Sequence, residues 1–329
     1  TFDYKSYLLS KKITSEVQNL KILATNSNPN LFGLLSSLKS KLESDVESIL
    51  PEPHSSLMNG ILFGNDTNLS KDLQENLKNA GVYHIISVSG FNVGVVFSFV
   101  YLLLSKILER KKRILVSLSF TFLFMLFIGL DNLPVIRATL MISFIYLGLY
   151  FGRKVSTLSA LLLSSTFILV IYPYYILNLS FLLSTFATLG IVLLGKFSLD
   201  IININSVKKI LEELKTSAYA IVSTSFITYL SFKEINFSGL ITNFFILPFI
   251  PLIMAIGTIL IILKEVNFQA VIYLLNVSTN IIFKLMYLVT DFISKNMYLS
   301  SKHITLVLIP ILFFIYLDYS QFKKSLITN

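Results

Sequence analysis

From His84 onward the chain alternates long apolar runs with short polar breaks. A helix that crosses a bilayer needs about 20 predominantly apolar residues. Runs of that character cover roughly 85–106, 114–130, 134–151, 156–172, 175–195, 217–232, 239–263, 268–290 and 304–319. They predict an all-α, polytopic membrane helix bundle of about nine transmembrane helices. The eighth run carries the most polar residues.

Residues 1–83 have a different pattern, with much of the charge and most of the turn signals. Leu31, Leu34, Leu35, Leu38, Leu42, Val46, Ile49 and Leu50 share one broad face at helical spacing, which predicts an amphipathic helix over 31–50. Pro51 and Pro53 break it. A second short helix is expected over about 54–63, ending at Gly64, and a third from an N-cap at Ser70 to a C′ glycine at Gly81. The expected division is 1–83, a linker with amphipathic helices that lies on the membrane face or forms a small cap, and 84–329, a transmembrane domain.

Composition strengthens the membrane assignment. Hydrophobic residues make up 54% of the 329, and 14% are charged, where soluble proteins have roughly a quarter. The mean hydropathy is +0.74. There is no cysteine, which excludes disulfides, thiolate-bound zinc, iron–sulfur clusters and a thiol nucleophile. The net charge is +9, but the basic residues gather in loops, so topology accounts for them before nucleic acid does. Arg110 to Arg113, Arg153-Lys154, the lysines of 196–216, Lys264 and Lys323-Lys324 alternate with nearly uncharged loops. The positive-inside rule then puts residues 1–83 outside and the C-terminus in the cytoplasm. The first residue is Thr1, and a chain that starts outside needs an earlier segment to export it. An upstream portion is therefore expected.

Four polar features interrupt the apolar runs. His84 to Gly94 places His84, Ser87, Ser89, Gly90, Asn92 and Gly94 at the mouth of a span. Polar groups at membrane depth are costly unless they face protein or water, so this is either a wet site or a small-residue packing seam. Arg137 follows Pro134 by about one helical turn inside a span. It either snorkels to the outer surface near Asp131 or is held toward a polar path where it could meet a phosphate. Asn243, Pro248 and Pro251 break a third span, as a kink or a cavity-lining interruption. Tyr273, Asn276, Asn280, Lys284 and Tyr287 share one helix face, which either lines a pore or lies wet in the interface.

Other signals carry no chemistry. Gly190 to Lys196 imitates part of a phosphate loop, but Phe197 stands where Ser or Thr must bind magnesium. His54, His84 and His303 lack paired metal-ligand spacing. Asp318, near the end of the ninth run, is the one acidic residue in the predicted spans, which argues against hydrolysis in the membrane plane. The expectation is a protein that is not an enzyme and has no cofactor or metal.

Ordered blocks of the chain resemble the ComEC/Rec-type competence proteins, over about Leu50 to Ile262. The blocks are Ile61 to Asp66, Leu73 to Gly81 and His84 to Gly94; then Pro134, Arg137, Ala138 and Met141; then Tyr172-Pro173 with Ser180 to Ile191; then Gly239, Asn243, Pro248, Pro251 and Gly257. Phe2 to Leu8 is similar to the junction that follows the family's OB-type extracellular domain. The metallo-β-lactamase-like domain of many members is not expected within these 329 residues, whose three His form no cluster to supply its metal site. Asn92 stands where the family usually has His, Leu182 where it has Gln, and Ser180 where it has Gly.

The resemblance implies a channel for single-stranded DNA in the bacterial cytoplasmic membrane during natural transformation. The DNA path would be lined by His84, Ser87, Ser89, Gly90, Asn92, Gly94, Arg137, Asn243, Pro248, Pro251, Asn276, Asn280 and Lys284. Expected partners are single-stranded DNA, membrane lipids, a DNA receptor outside and a helicase-type ATPase motor inside, with room for a homo-oligomer. The alternatives are a small-molecule or lipid transporter on the same scaffold, or an inactive truncated homologue.

Overall fold

The computed structural model describes residues 31–195, 205–266 and 268–297. The expected span over 304–319, the C-terminal Lys323-Lys324, His303 and the junction at Phe2 to Leu8 lie outside the described residues. Regular structure among the described residues is helical, with one isolated bridge residue, Asn236.

The helices are α1 (Leu31–Ile49), α2 (His54–Phe63), α3 (Lys71–Asn79), α4 (Gly90–Leu103), α5 (Arg110–Ile128), α6 (Leu133–Tyr150), α7 (Thr157–Ile171), α8 (Leu179–Leu194), α9 (Asn205–Phe232), α10 (Gly239–Ile246), α11 (Ile250–Glu265) and α12 (Gln269–Asn296). The punctuation in the sequence sets many of their ends. Ser70 Oγ accepts from Leu73 N–H and starts α3. Gly64 closes α2 and Gly81 follows α3, both at φ 74°, the left-handed conformation that favours glycine. Asn132 caps α6 through Val135 N–H, with Pro134 in its first turn.

Among the described residues three helical stretches are long and apolar enough to cross a membrane: α6, Gly239–Glu265 and α12. That is fewer than the nine expected. The apolar runs counted turns and caps as helix, and the structure separates them. The division expected between 172 and 175 is present, and the 3-10 turn over Pro173–Leu177 delays the start of α8 to Leu179. Gly90–Lys106, α7 and α8 are left at 10–17 residues. A 15-residue helix rises about 22 Å, short of a hydrocarbon core of about 30 Å. The chain is nonetheless a helical membrane protein in its surface. Leu102, Leu103, Phe120, Leu123, Leu162, Val170, Leu274 and Leu288 all lie more than half exposed, a coat that water would not tolerate.

By contact the chain forms two compact units, a division distinct from the change in composition at 83/84. Among the described residues the first joins 31–42 with 93–185, and the second joins 43–92 with 186–195, 205–266 and 268–297. In the first unit α6 packs on both α5 and α7. Leu133, Ile168, Tyr175 and Phe181 make a buried core there. The basic turn before α5 is anchored by tyrosines: the Arg113 guanidinium lies 4.1 Å from the Tyr101 ring centre, and Lys111 sits over Tyr150. In the second unit α2 is central. Nine of its ten residues are buried, and it packs against α11. Gly257 permits that approach, because a Cβ there would fall 2.6 Å from Met58 Sδ.

Candidate functional site

Arg137 has the most demanding environment of the predicted site residues. Its side chain is 4% exposed inside α6, one of the helices fit to cross a membrane. Nη2 donates to Ser184 Oγ at 2.6 Å and Nη1 points at Met141 Sδ at 3.2 Å. Nε is buried without a partner. The guanidinium therefore turns inward to α8 rather than snorkelling to the surface. No carboxylate faces it among the described residues. A buried cation held only by a hydroxyl and a thioether is electrostatically incomplete and suited to receive an anion.

The His84–Gly94 block divides by depth. His84, in a 3-10 turn over Tyr83–Ile85, and Ser87 are exposed. Ser89 is half-buried, and its Oγ accepts from Phe91 N–H at the start of α4. Asn92 is 2% exposed and donates to the Ile61 carbonyl at 3.0 Å, tying α4 to α2. Among the described residues a Cβ on Gly94 would meet no atom within 4 Å, so none of their helices presses on it as a packing seam requires. Next to the block, burial and the Asp66 carboxylate push the Tyr83 phenol up to about 12, keeping it a neutral donor to Asp66 at 2.8 Å. This division predicts a contrast. A cysteine at Ser87 reacts readily with a membrane-impermeant thiol reagent, and one at Asn92 stays unmodified until the protein is denatured. Equal labelling of the two contradicts it.

The proline break is a 3-10 turn over Leu247–Phe249 between α10 and α11. Asn243 is half-buried with its side-chain oxygen unpartnered, Pro251 is half-buried and Pro248 is exposed. The polar stripe of α12 meets the segment around α2. Asn276 donates to the Ile49 carbonyl at 2.8 Å, Asn280 donates to Asn276 Oδ1, and His54 Nδ1 lies 2.5 Å from Asn280 Oδ1. Lys284 and Tyr287 are exposed and line a cavity of about 380 Å³ with Pro53, His54, Leu57 and Leu73. The sequence reading missed His54. Its signal was present, since it follows two helix-breaking prolines and opens a helix, but spacing alone could not pair it with Asn280, 226 residues away. Ser184 and Met141 were likewise visible as motif positions without a stated role. Among the described residues no three His, Asp or Glu side chains come together to hold a metal ion.

Comparison with known proteins bears on these same segments. An uncharacterized protein of Aquifex aeolicus (strain VF5) is 31% identical over 229 residues, 68% of this chain and 51% of that protein. ComE operon protein 3 of Bacillus subtilis (strain 168) is 23% identical over 193 residues, 58% of this chain and 25% of that protein. The chain thus spans about half, or less, of the length of these curated relatives. No solved structure matches it significantly. The model of the family described as "Competence protein" matches residues 61–322, a stretch that takes in Arg137, the His84–Gly94 block, the proline break and α12, and the chain belongs to that family.

Proposed function

We propose that the chain forms the membrane-embedded part of the path by which single-stranded DNA crosses the bacterial cytoplasmic membrane in natural transformation. It moves the strand and does no chemistry on it. Arg137 is the observation that carries this reading. A single strand brings one negative charge per nucleotide, so its path through a low-dielectric region needs fixed cations and hydrogen-bond donors. A guanidinium 4% exposed, with no carboxylate facing it among the described residues, supplies both. Exposed His84 and Ser87 would meet the strand at one mouth. Asn243, Pro248 and Pro251 would contribute unpaired polar groups, and Asn276, Asn280 and Lys284 a second polar face.

In this reading the protein is multi-pass. Helices shorter than 18 residues also cross, by local thinning of the bilayer around them. Its partners are the strand, lipids, a receptor that delivers DNA outside and a helicase-type ATPase motor inside, with self-association as a further element. Deleting the gene in its host should reduce entry of labelled DNA to the background of an uptake-negative strain. Uptake of a panel of labelled small solutes should stay at the parental rate. Normal DNA entry with a lost solute would replace this reading with a small-molecule transporter.

A further inference from the structure

The second unit holds a segment whose course differs from that of a cap on one membrane face. Three residues separate α11 from α12, and the two helices pack as a hairpin. At the closed end, Lys264 Nζ bonds Asp45 Oδ1 at 2.6 Å and reaches Ser48 Oγ. Further along, Asn276 holds the Ile49 carbonyl, Asn280 holds His54, and Gly257 receives Met58 and Leu62 of α2. At the open end, Ser294 Oγ faces Asn76 Oδ1 at 3.4 Å. There Asn236 donates to the carbonyls of Lys78 and Asn79 at 2.7 and 2.8 Å, and Gly81 lies against Gly239. The hairpin thus meets residue 45 at its closed end, residues 49–62 midway and residues 76–81 at its open end, while α2 doubles back beside the end of α1, with Asn59 Nδ2 donating to the Glu43 carbonyl and Asn68 Nδ2 to Glu47 Oε1, both at 3.3 Å. From Lys264 to Gly239 the helical rise is about 37 Å, more than a hydrocarbon core of about 30 Å.

We infer that residues 45–79 cross the membrane beside α11 and α12 as a broken helical element, with Asp45 and Asn79 at opposite faces. Irregular backbone is tolerated at membrane depth where it is hydrogen-bonded and either enclosed in protein or facing a wet cavity. Thr67, Asn68 and Ser70 of the break are exposed, so the crossing requires water on that side of the element. α2 rises only about 15 Å and could not cross alone. It is enclosed, with nine of its ten residues buried, and Ser55, Ser56 and Asn59 lie among them. Around the break, Asn65 N–H reaches the Asn59 carbonyl and Ser56 Oγ reaches that of Asn68. Gln74 Nε2 donates to the Leu69 carbonyl, and Asn65 Oδ1 accepts from Thr67 N–H. The exposed charges Glu75 and Lys78 of α3 come at the open end, where a crossing element emerges into water, and Lys71 and Asp72 flank Leu73 beside the cavity with His54 and Lys284. A cap lying on one face would bring residues 45 and 79 to the same end of the hairpin.

The absence of cysteine makes the test direct. Ser44→Cys and Glu75→Cys place single thiols at exposed positions near the two ends of the element. Val266→Cys and Asn296→Cys mark the two ends of the hairpin. Each full-length variant is labelled with an impermeant thiol reagent in right-side-out and in inside-out vesicles, with total thiol counted after denaturation. The expected result is that positions 44 and 266 react from one side and 75 and 296 from the other. Reaction of 44 and 75 from the same side overturns the crossing, as does reaction of 266 and 296 from the same side. A thiol at 44 or 75 reached from neither side overturns it too. DNA takes no part in this readout, so its outcome is independent of the proposed transport.

Discussion

Arg137→Met should stop DNA entry while leaving the folded protein as stable as before, or more so. The two effects separate a functional cation from a structural one. A buried guanidinium loses hydration worth several kcal/mol, and its recovery here comes from one hydroxyl at 2.6 Å and one sulfur at 3.2 Å. Methionine keeps much of the side-chain volume and removes the desolvated charge. Replacement of buried ions by well-packed apolar groups is commonly neutral or stabilising by about 1–4 kcal/mol. If Arg137 serves the strand, entry falls to background and the thermal midpoint of the detergent-solubilised protein holds or rises. Arg137→Lys keeps the charge but not the fork of donors, and should retain part of the entry rate. Undiminished entry in Arg137→Met takes the residue off the path. Lost entry with a large drop in the midpoint makes it a brace for α8 through Ser184.

The largest loss of stability should come from Gly81→Ala. Two penalties coincide there. The residue sits at φ 74°, where a side chain costs about 1–2 kcal/mol. A Cβ would also fall 2.5 Å from the Gly239 amide nitrogen and 2.8 Å from its Cα, backbone atoms that cannot rotate away. Overpacking of that kind costs about 1–3 kcal/mol more. Gly239→Ala meets the same contact from the other side, 2.8 Å from the Gly81 carbonyl oxygen, without the positive φ. Gly152→Ala carries the positive φ, 76°, with no atom within 4 Å. Thermal unfolding in detergent should rank Gly81→Ala as the most damaging and Gly152→Ala as the mildest. A Gly81→Ala variant no worse than Gly152→Ala would show that the close approach to Gly239 does not exist.

Much of the local structure was written in short-range chemistry. The prolines at 51 and 53, the glycines at 64 and 81 and Ser70 act on their own backbone within a few residues, so α2 and α3 begin and end close to where their types require. The membrane character followed from composition, because apolar side chains in such excess have no water-soluble arrangement. The number of crossings was harder to see. A hydropathy run does not register where the backbone leaves the helix, so Tyr175 to Leu177 of a 3-10 turn were counted with a span whose helix, α8, begins only at Leu179.

The polar groups show the same limit from the other side. Sequence marked Arg137, Asn92 and the Asn276–Lys284 stripe as unusual, since a polar residue in an apolar run is costly wherever it points. Direction belongs to the tertiary structure. Packing of α6 against its neighbours turns Arg137 toward Ser184 instead of Asp131, and packing of α2 into the second unit buries Asn92 against Ile61. His54 and Asn280 meet only because a segment that looks from its composition like an external cap lies along the length of two membrane-type helices. Residue type and spacing act locally and set where helices start, stop and turn apolar. Which polar atoms share a low-dielectric interior depends on contacts between residues 31, 47 or 226 positions apart, and those exist only once the chain has folded.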